Sequence, residues 1–279
     1  MTRLISGLAE LAGRYDALLC DIWGVIHDGV AGFETACAAL TRWRAEVGPV
    51  VLISNAPRPW ASVAEQLADL GVPKTAWSAI VTSGDVCRDL LAERAPGPAL
   101  RIGPAKDDPL YAGLGLAYAE VEEAAFIACS GPEDEDRETP EDYRPLLARA
   151  AERDLDMICA NPDIVVQRGA SLIYCAGALA QLYAGLGGRV VQAGKPFAPI
   201  YDLALARAGA PDRGKVLAIG DGVMTDMAGA AAQGLDALFV ADGIHAAETL
   251  DRQGRIDETC LRRRLQGSDA AFAMARLGW

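Results

Sequence analysis

The sequence is short of the residues on which several kinds of chemistry depend. Among its 279 residues only two are histidines, and His27 and His245 lack the two-histidine spacing of a zinc site. Seven cysteines are present without a Cys-x-x-Cys pair. Several of them, Cys20, Cys129 and Cys159, fall in apolar strand-like runs. The odd count and the scatter point to buried thiols in a reducing cytoplasm, not to a disulfide framework. Basic residues are outnumbered, 26 against 38 acidic ones, for a net charge of −12. Nucleic-acid binding leans on Lys and Arg, so a polyanion is not expected as the main partner, although one local basic pocket would not register in the net charge. A membrane span is not expected either, because the longest mostly apolar stretch, about 169–187, contains Gln181 and several glycines. No signal-peptide core opens the chain, since Glu10, Arg14 and Asp16 interrupt it. The expectation is a cytoplasmic protein with no nucleic-acid and no membrane partner.

What is present suits a globular α/β protein. Hydrophobic residues make up 51% and charged residues 23%, and the length suffices for one large domain or two. The pattern predicts a helix over 3–14, a strand at 17–22, a helix over 33–46 and a strand at 49–53. A helix over 59–70, a strand at 79–82 and a helix to about 94 follow. This alternation implies a doubly wound parallel sheet. Turn-rich Ala95-Pro96-Gly97-Pro98 then changes the register. Strands are expected at about 99–102 and 124–129, an acidic loop at 131–142, a helix over 143–153 and a strand at 156–159. A helix over 174–186 and a strand near 189–192 precede Gly194-Lys195-Pro196, after which the alternation resumes. The predicted architecture is a discontinuous α/β core, 1–84 plus 193–279, with a smaller α/β domain, 85–192, inserted between its halves.

Chemistry concentrates where strands end. Residues 18–29, Leu-Leu-Cys-Asp-Ile-Trp-Gly-Val-Ile-His-Asp-Gly, carry Asp21 out of an apolar run into a turn at Gly24. Open α/β sheets place their ligands at such carboxyl ends. Val216 to Gly220 repeats the arrangement with Asp221, and Asp226 comes five residues later. Two strand-end acids on one sheet can share a hard divalent cation such as Mg²⁺. Ser54 and Asn55 end the second strand with a hydroxyl and an amide. Lys195, in Gly-Lys-Pro, is placed to hold a phosphate oxygen and offset charge on a nucleophile. Each piece has a plainer reading taken alone: Asp21 as a turn cap, Ser54-Asn55 as ordinary turn residues, Lys195 as a solvated lysine, Asp226 as a helix N-cap.

Together and in this order the four pieces resemble the haloacid dehalogenase superfamily of aspartate-nucleophile phosphohydrolases. The chain is most similar to its NagD-like and 4-nitrophenylphosphatase-like subgroup. Asp-Ile-Trp-Gly-Val matches the first motif except at one position, Ser54-Asn55 the second, Lys195 the third, and Asp221 with Asp226 the fourth. The stretch from Ala160-Asn161-Pro162-Asp163 through Gly169 to Gly177-Ala178-Leu179 resembles the end of the subgroup's cap. The resemblance implies a Rossmann-like doubly wound core, 1–84 plus 193–279, with residues 85–192 as its α/β cap domain. It also implies a Mg²⁺-dependent phosphatase of a small phosphorylated metabolite, acting through a phosphorylated Asp21. Asp21, the backbone carbonyl of Trp23, Asp221 and Asp226 would hold Mg²⁺, and Ser54, Asn55 and Lys195 the phosphoryl group. A homodimer through the cap accords with the resemblance.

Trp23 is the departure. The family's phosphatases carry an Asp there, which protonates the leaving oxygen and later helps activate water. An indole does neither at neutral pH, and such assistance is worth roughly 10²–10⁴-fold. The loss matters least for a leaving group that is already a weak base. His27 and Asp28 are candidate substitute acids, with a turn and packing role as the plainer reading. Two alternatives to a phosphatase therefore stand: a phosphate-ligand binding or regulatory protein with weakened catalysis, and a hydrolase of a different bond.

Overall fold

The computed structural model describes residues 2–168, 171–268 and 270–279. The chain divides into two compact units, Met1–Ser54, Ala64–Val81 and Lys195–Trp279 forming one, Asn55–Val63 and Thr82–Gly194 the other.

A seven-stranded sheet organises the first unit. Its order is Arg3–Leu4, Ala270–Met274, Asp236–Val240, Val216–Gly220, Ala17–Asp21, Val50–Ser54, Ala79–Thr82. The pairings from Arg3–Leu4 to Val50–Ser54 are parallel. Ala17–Asp21, Val50–Ser54 and Val216–Gly220 are buried at every position, as expected of strands covered on both faces. From Ala17–Asp21 the chain winds one way to Val50–Ser54 and Ala79–Thr82, and its later strands are added on the other side. The switch in direction lies between Ala17–Asp21 and Val216–Gly220, where such sheets open their ligand crevice.

The predicted helix over 3–14 is not formed. Arg3–Leu4 pairs as an edge strand with Phe272 and Ala273, and only the 3₁₀ turn Leu8–Leu11 is helical. The cause is long-range: Ile5 N–H donates to Ala273 O at 3.0 Å and Leu8 N–H to Gly278 O at 2.9 Å. These tertiary bonds hold the backbone extended against a modest helical pattern.

The second unit is built on a four-stranded parallel sheet, Arg189–Gln192, Asp156–Cys159, Phe126–Cys129, Ala99–Ile102. One face packs Leu147, Ala150, Leu179 and Tyr183 from the helices Arg144–Glu152 and Ala176–Gly185 against Ile127 and Met157. The other packs Cys87 and Leu91 of Ser83–Ala92 against Phe126, Ala128 and Ile158. A reciprocal cap starts Ser83–Ala92: Asp85 N–H donates to Thr82 Oγ1 and Thr82 N–H to Asp85 Oδ2, each at 3.0 Å.

Two further features depart from the sequence reading. Residues 55–63, expected in the core domain, group with the second unit. Gly84 N–H donates to Ala56 O at 3.0 Å and Trp60 N–H to Asp85 Oδ1 at 3.1 Å, tying this segment to the start of Ser83–Ala92. An antiparallel hairpin, Val165–Arg168 with Ser171–Tyr174, also stands where no strand was predicted. Gly169, within the stretch that resembles the end of a cap, lies outside the described residues. Among the described residues no helix is long and apolar enough to cross a membrane.

Candidate active site

Register brings the sequence-predicted acids to one edge. Ile219 is level with Cys20 and Asp21 with Ile53, so Asp21, Ser54 and Asp221 emerge together from three adjacent strand ends. Lys195 closes the group from the start of the chain's return to this unit. Its Nζ lies 2.6 Å from Asp21 Oδ1 and 2.7 Å from Asp226 Oδ1, and its side chain is 3% exposed. Asp21 Oδ1 also accepts the Ile22 N–H at 2.7 Å. Asp226 lies within a π-helical turn, Val223–Met227, not at the helix opening the sequence suggested. The wider turn lets its Oδ2 reach back to accept the Gly222 N–H at 3.0 Å, and such turns are frequent at functional sites.

Asp21, Asp221 and Asp226 are all buried, with one carboxylate oxygen of each within 4.8 Å of the others. The electrostatics follow. Burial, reinforced by repulsion from Asp226, pushes the Asp21 carboxyl well above the usual range while Lys195 opposes it. Burial, with Asp226 adding, pushes Asp221 up to about 7. One ammonium among three buried carboxylates leaves negative charge uncompensated.

A family model for haloacid dehalogenase-like hydrolases matches residues 18–117, and a HAD-hydrolase-like model matches 192–261. The crystal structure of a haloacid dehalogenase-like hydrolase from Brucella suis 1330 is 45% identical, covering 98% of this chain and 100% of its own, with a TM-score of 0.88. This chain belongs to the haloacid dehalogenase-like hydrolases. A glycerol phosphate phosphatase from Mycobacterium tuberculosis, solved with magnesium, is 27% identical over 84% of this chain and 70% of its own, with a TM-score of 0.64. A p-nitrophenyl phosphatase from Archaeoglobus fulgidus shares the fold at 20% identity and a TM-score of 0.70, covering 94% of this chain and 96% of its own. Curated protein sequences yielded no significant match.

In this haloacid dehalogenase-like hydrolase the other predicted site residues take different places. Asn55 lies in the second unit, where its Nδ2 donates to Asp163 Oδ1 at 2.8 Å. Asp163 N–H in turn donates to Asn161 Oδ1 at 3.0 Å. Trp23 is half-buried, its ring edge-on to His27 with centroids 4.9 Å apart. His27 is 1% exposed and its Nδ1 accepts the Gly29 N–H at 2.9 Å. Burial pulls its pKa down to about 4, against the pull of Asp28. His27 is therefore neutral at pH 7 and fixes the turn. Asp28 is exposed, and its Oδ1 accepts from Val30 N–H and Ala31 N–H at 2.9 and 3.0 Å. Those amides hold it below the usual carboxylate range. This geometry gives both residues a turn-building role and disfavours both as substitute acids.

One contributor escaped the sequence reading. Ile244 N–H donates to Asp221 Oδ2 at 2.7 Å, and a Cβ on the preceding Gly243 would overlap that oxygen. The available signal was Ala-Asp-Gly directly after an apolar strand, the same strand-end pattern that marked Asp21.

Proposed function

We propose that the protein is a Mg²⁺-dependent phosphatase of a small phosphorylated metabolite, with Asp21 as nucleophile. The observation that carries this reading is the buried Asp21 carboxylate at a strand end, bonded to Lys195 beside two further carboxylates. Three clustered carboxylates with one ammonium form a hard, all-oxygen, over-negative donor set that suits Mg²⁺. Asp21, Asp221 and Asp226, with the Trp23 carbonyl, would hold it, and when bound it supplies positive charge that screens the anionic substrate from the carboxylates.

The chain's own residues do the rest. Ile22 N–H and Lys195 fix Asp21 Oδ1, so the carboxylate is aimed before substrate arrives. Asp21 attacks phosphorus and becomes an aspartyl phosphate, which water cleaves. Lys195 and Ser54 hold phosphoryl oxygens, and Lys195 stabilises charge as it develops. Gly243 and Ile244 hold Asp221 in place. The cytoplasm, a cap role for the second unit and a homodimer through it complete the reading.

Steady-state hydrolysis of p-nitrophenyl phosphate by EDTA-treated protein, with and without added Mg²⁺, tests this directly. Turnover restored by the metal is expected. Absence of turnover would favour the binding or regulatory reading, for which the Trp23 substitution is the specific support.

A narrower expectation concerns Gly243→Ala. The added methyl displaces Asp221 and disturbs its bond to Ile244 N–H, so Mg²⁺ affinity by calorimetric titration should fall by about 10–100-fold. An unchanged affinity would show that this loop does not position the metal ligand.

A further inference from the structure

We propose that this site takes phosphate esters whose leaving oxygen is a weak base, phenol-like or enol-like, attached to an apolar body. The inference rests on the phosphatase reading above and specifies its substrate class.

The argument starts from the proton inventory around Asp21. When an Asp21 oxygen bonds to phosphorus, the ester P–O bond breaks and its electron pair leaves on the ester oxygen. An alkoxide needs a proton at that moment, whereas a phenolate or enolate departs as an anion and is protonated later by solvent. Water then adds to the phosphorus of the aspartyl phosphate, and the Asp21–P bond breaks with its pair returning to the carboxylate. One water proton stays on inorganic phosphate and the other goes to solvent.

Among the described residues of the first unit, Trp23, His27, Asp28, Lys195 and His245 are not arranged to deliver the proton of the first step, and Asp221 and Asp226 are the carboxylates that would hold Mg²⁺. Trp23 carries only an indole N–H, which is a donor that keeps its proton. His27 is buried with Nδ1 engaged by Gly29 N–H, and giving up its remaining ring proton would leave an imidazolate. Asp28 Oδ1 accepts two backbone amides, the bonding of an ionised carboxylate. Lys195 is held between two carboxylates at 2.6 and 2.7 Å, and Asp221 accepts the Ile244 N–H. His245 Nε2 lies 2.7 Å from Arg264. The loops bearing these groups also present exposed apolar side chains, Val30 and Met224 at 70% and 75% exposure, with Phe197 and Ile244 less so. Exposed apolar side chains on loops close in sequence to the site residues suit an apolar leaving group better than a polyol.

The test is kcat/KM for a series of substituted phenyl phosphates together with glycerol phosphate, because kcat/KM isolates the first step from hydrolysis of the aspartyl phosphate. The expected result is a steep fall with rising leaving-group pKa, glycerol phosphate lying at least about 10²-fold below p-nitrophenyl phosphate. Trp23→Asp should raise the alkyl-to-aryl ratio by about 10²-fold, while Trp23→Phe should not raise it. Circular dichroism establishes that each variant is folded, and the wild-type slope stands as a test without them. A flat dependence, or a ratio that drops in Asp28→Asn or His27→Gln, would reveal a working acid and overturn the inference alone. Absence of turnover on every ester, or turnover that survives Asp21→Asn, would overturn the phosphatase reading and this inference with it.

Discussion

Lys195→Met is expected to destabilise the protein by about 3–5 kcal/mol at pH 8, the range for removing one partner of a buried ion pair. The side chain is nearly inaccessible and contacts two carboxylates, with a third nearby. Without the ammonium those charges face each other with no compensation. The loss should depend on pH with a definite sign. Folded-state carboxyl pKa values raised above their unfolded values mean that the native state holds more protons between the two. Stability then falls as pH rises through that window. In the parent protein Asp221, near 7 when folded and 3.8 as a free carboxyl, sets a window from roughly pH 4 to 7. Removing Lys195 pushes the folded values higher still, so the variant should be close to the parent at pH 5 and far below it at pH 8. Urea unfolding at both pH values measures this, and equal losses at both would refute the electrostatic account. Lys195→Met/Asp226→Asn should recover part of the loss. Turnover should fall by at least about 10²-fold in Lys195→Met, the scale for removing one donor to developing charge.

The parts of this molecule legible in advance are those set by short-range pattern. Buried parallel strands read as continuous apolar runs, so Ala17–Asp21, Val50–Ser54 and Val216–Gly220 announce themselves, and each delivers its polar residue at a readable carboxyl end. The inserted second sheet was legible for the same reason. What was hidden depends on partners far away in the chain. Arg3–Leu4 is a strand because Phe272 and Ala273 lie beside it, which no pattern within residues 3–14 reveals. The segment 55–63 continues directly from a core strand, and only its bonds to Gly84 and Asp85 assign it elsewhere. The hairpin closing at Arg168 and Ser171 was masked by the apolar run into Ala176–Gly185. At the site, the four charged residues were readable by type and order. The amide of Ile244 was not, since backbone donors carry no residue-type signature. The roles of His27 and Asp28 needed the turn geometry, because the same two residue types serve an acid and a turn equally well.

Asp21→Asn should separate the two things the carboxylate does. Asparagine keeps the shape and can still accept from Lys195 and Ile22 N–H, but it is not a nucleophile. Turnover of p-nitrophenyl phosphate should fall by about 10⁴-fold or more, as when other covalent catalysts lose their nucleophile. Stability should move in the opposite direction. Burial and Asp226 hold the Asp21 pKa well above its unfolded value, so its ionisation opposes folding as pH rises. Replacing it with a neutral group removes that penalty and leaves Lys195 its contact with Asp226. A gain of about 1 kcal/mol at pH 8 in the metal-free protein is expected, the size of a typical single stabilising substitution, with a shallower decline from pH 5 to 8. Added Mg²⁺ should shrink the gain, because a cation screens the same carboxylates in the parent and offers less to the variant. Thermal melts at two pH values, with and without Mg²⁺, read all of these effects. A variant less stable than the parent at pH 8 without metal would mean that the Asp21–Lys195 pair stabilises the fold more than the crowded carboxylates oppose it, and would assign Asp21 a structural role beside its chemical one.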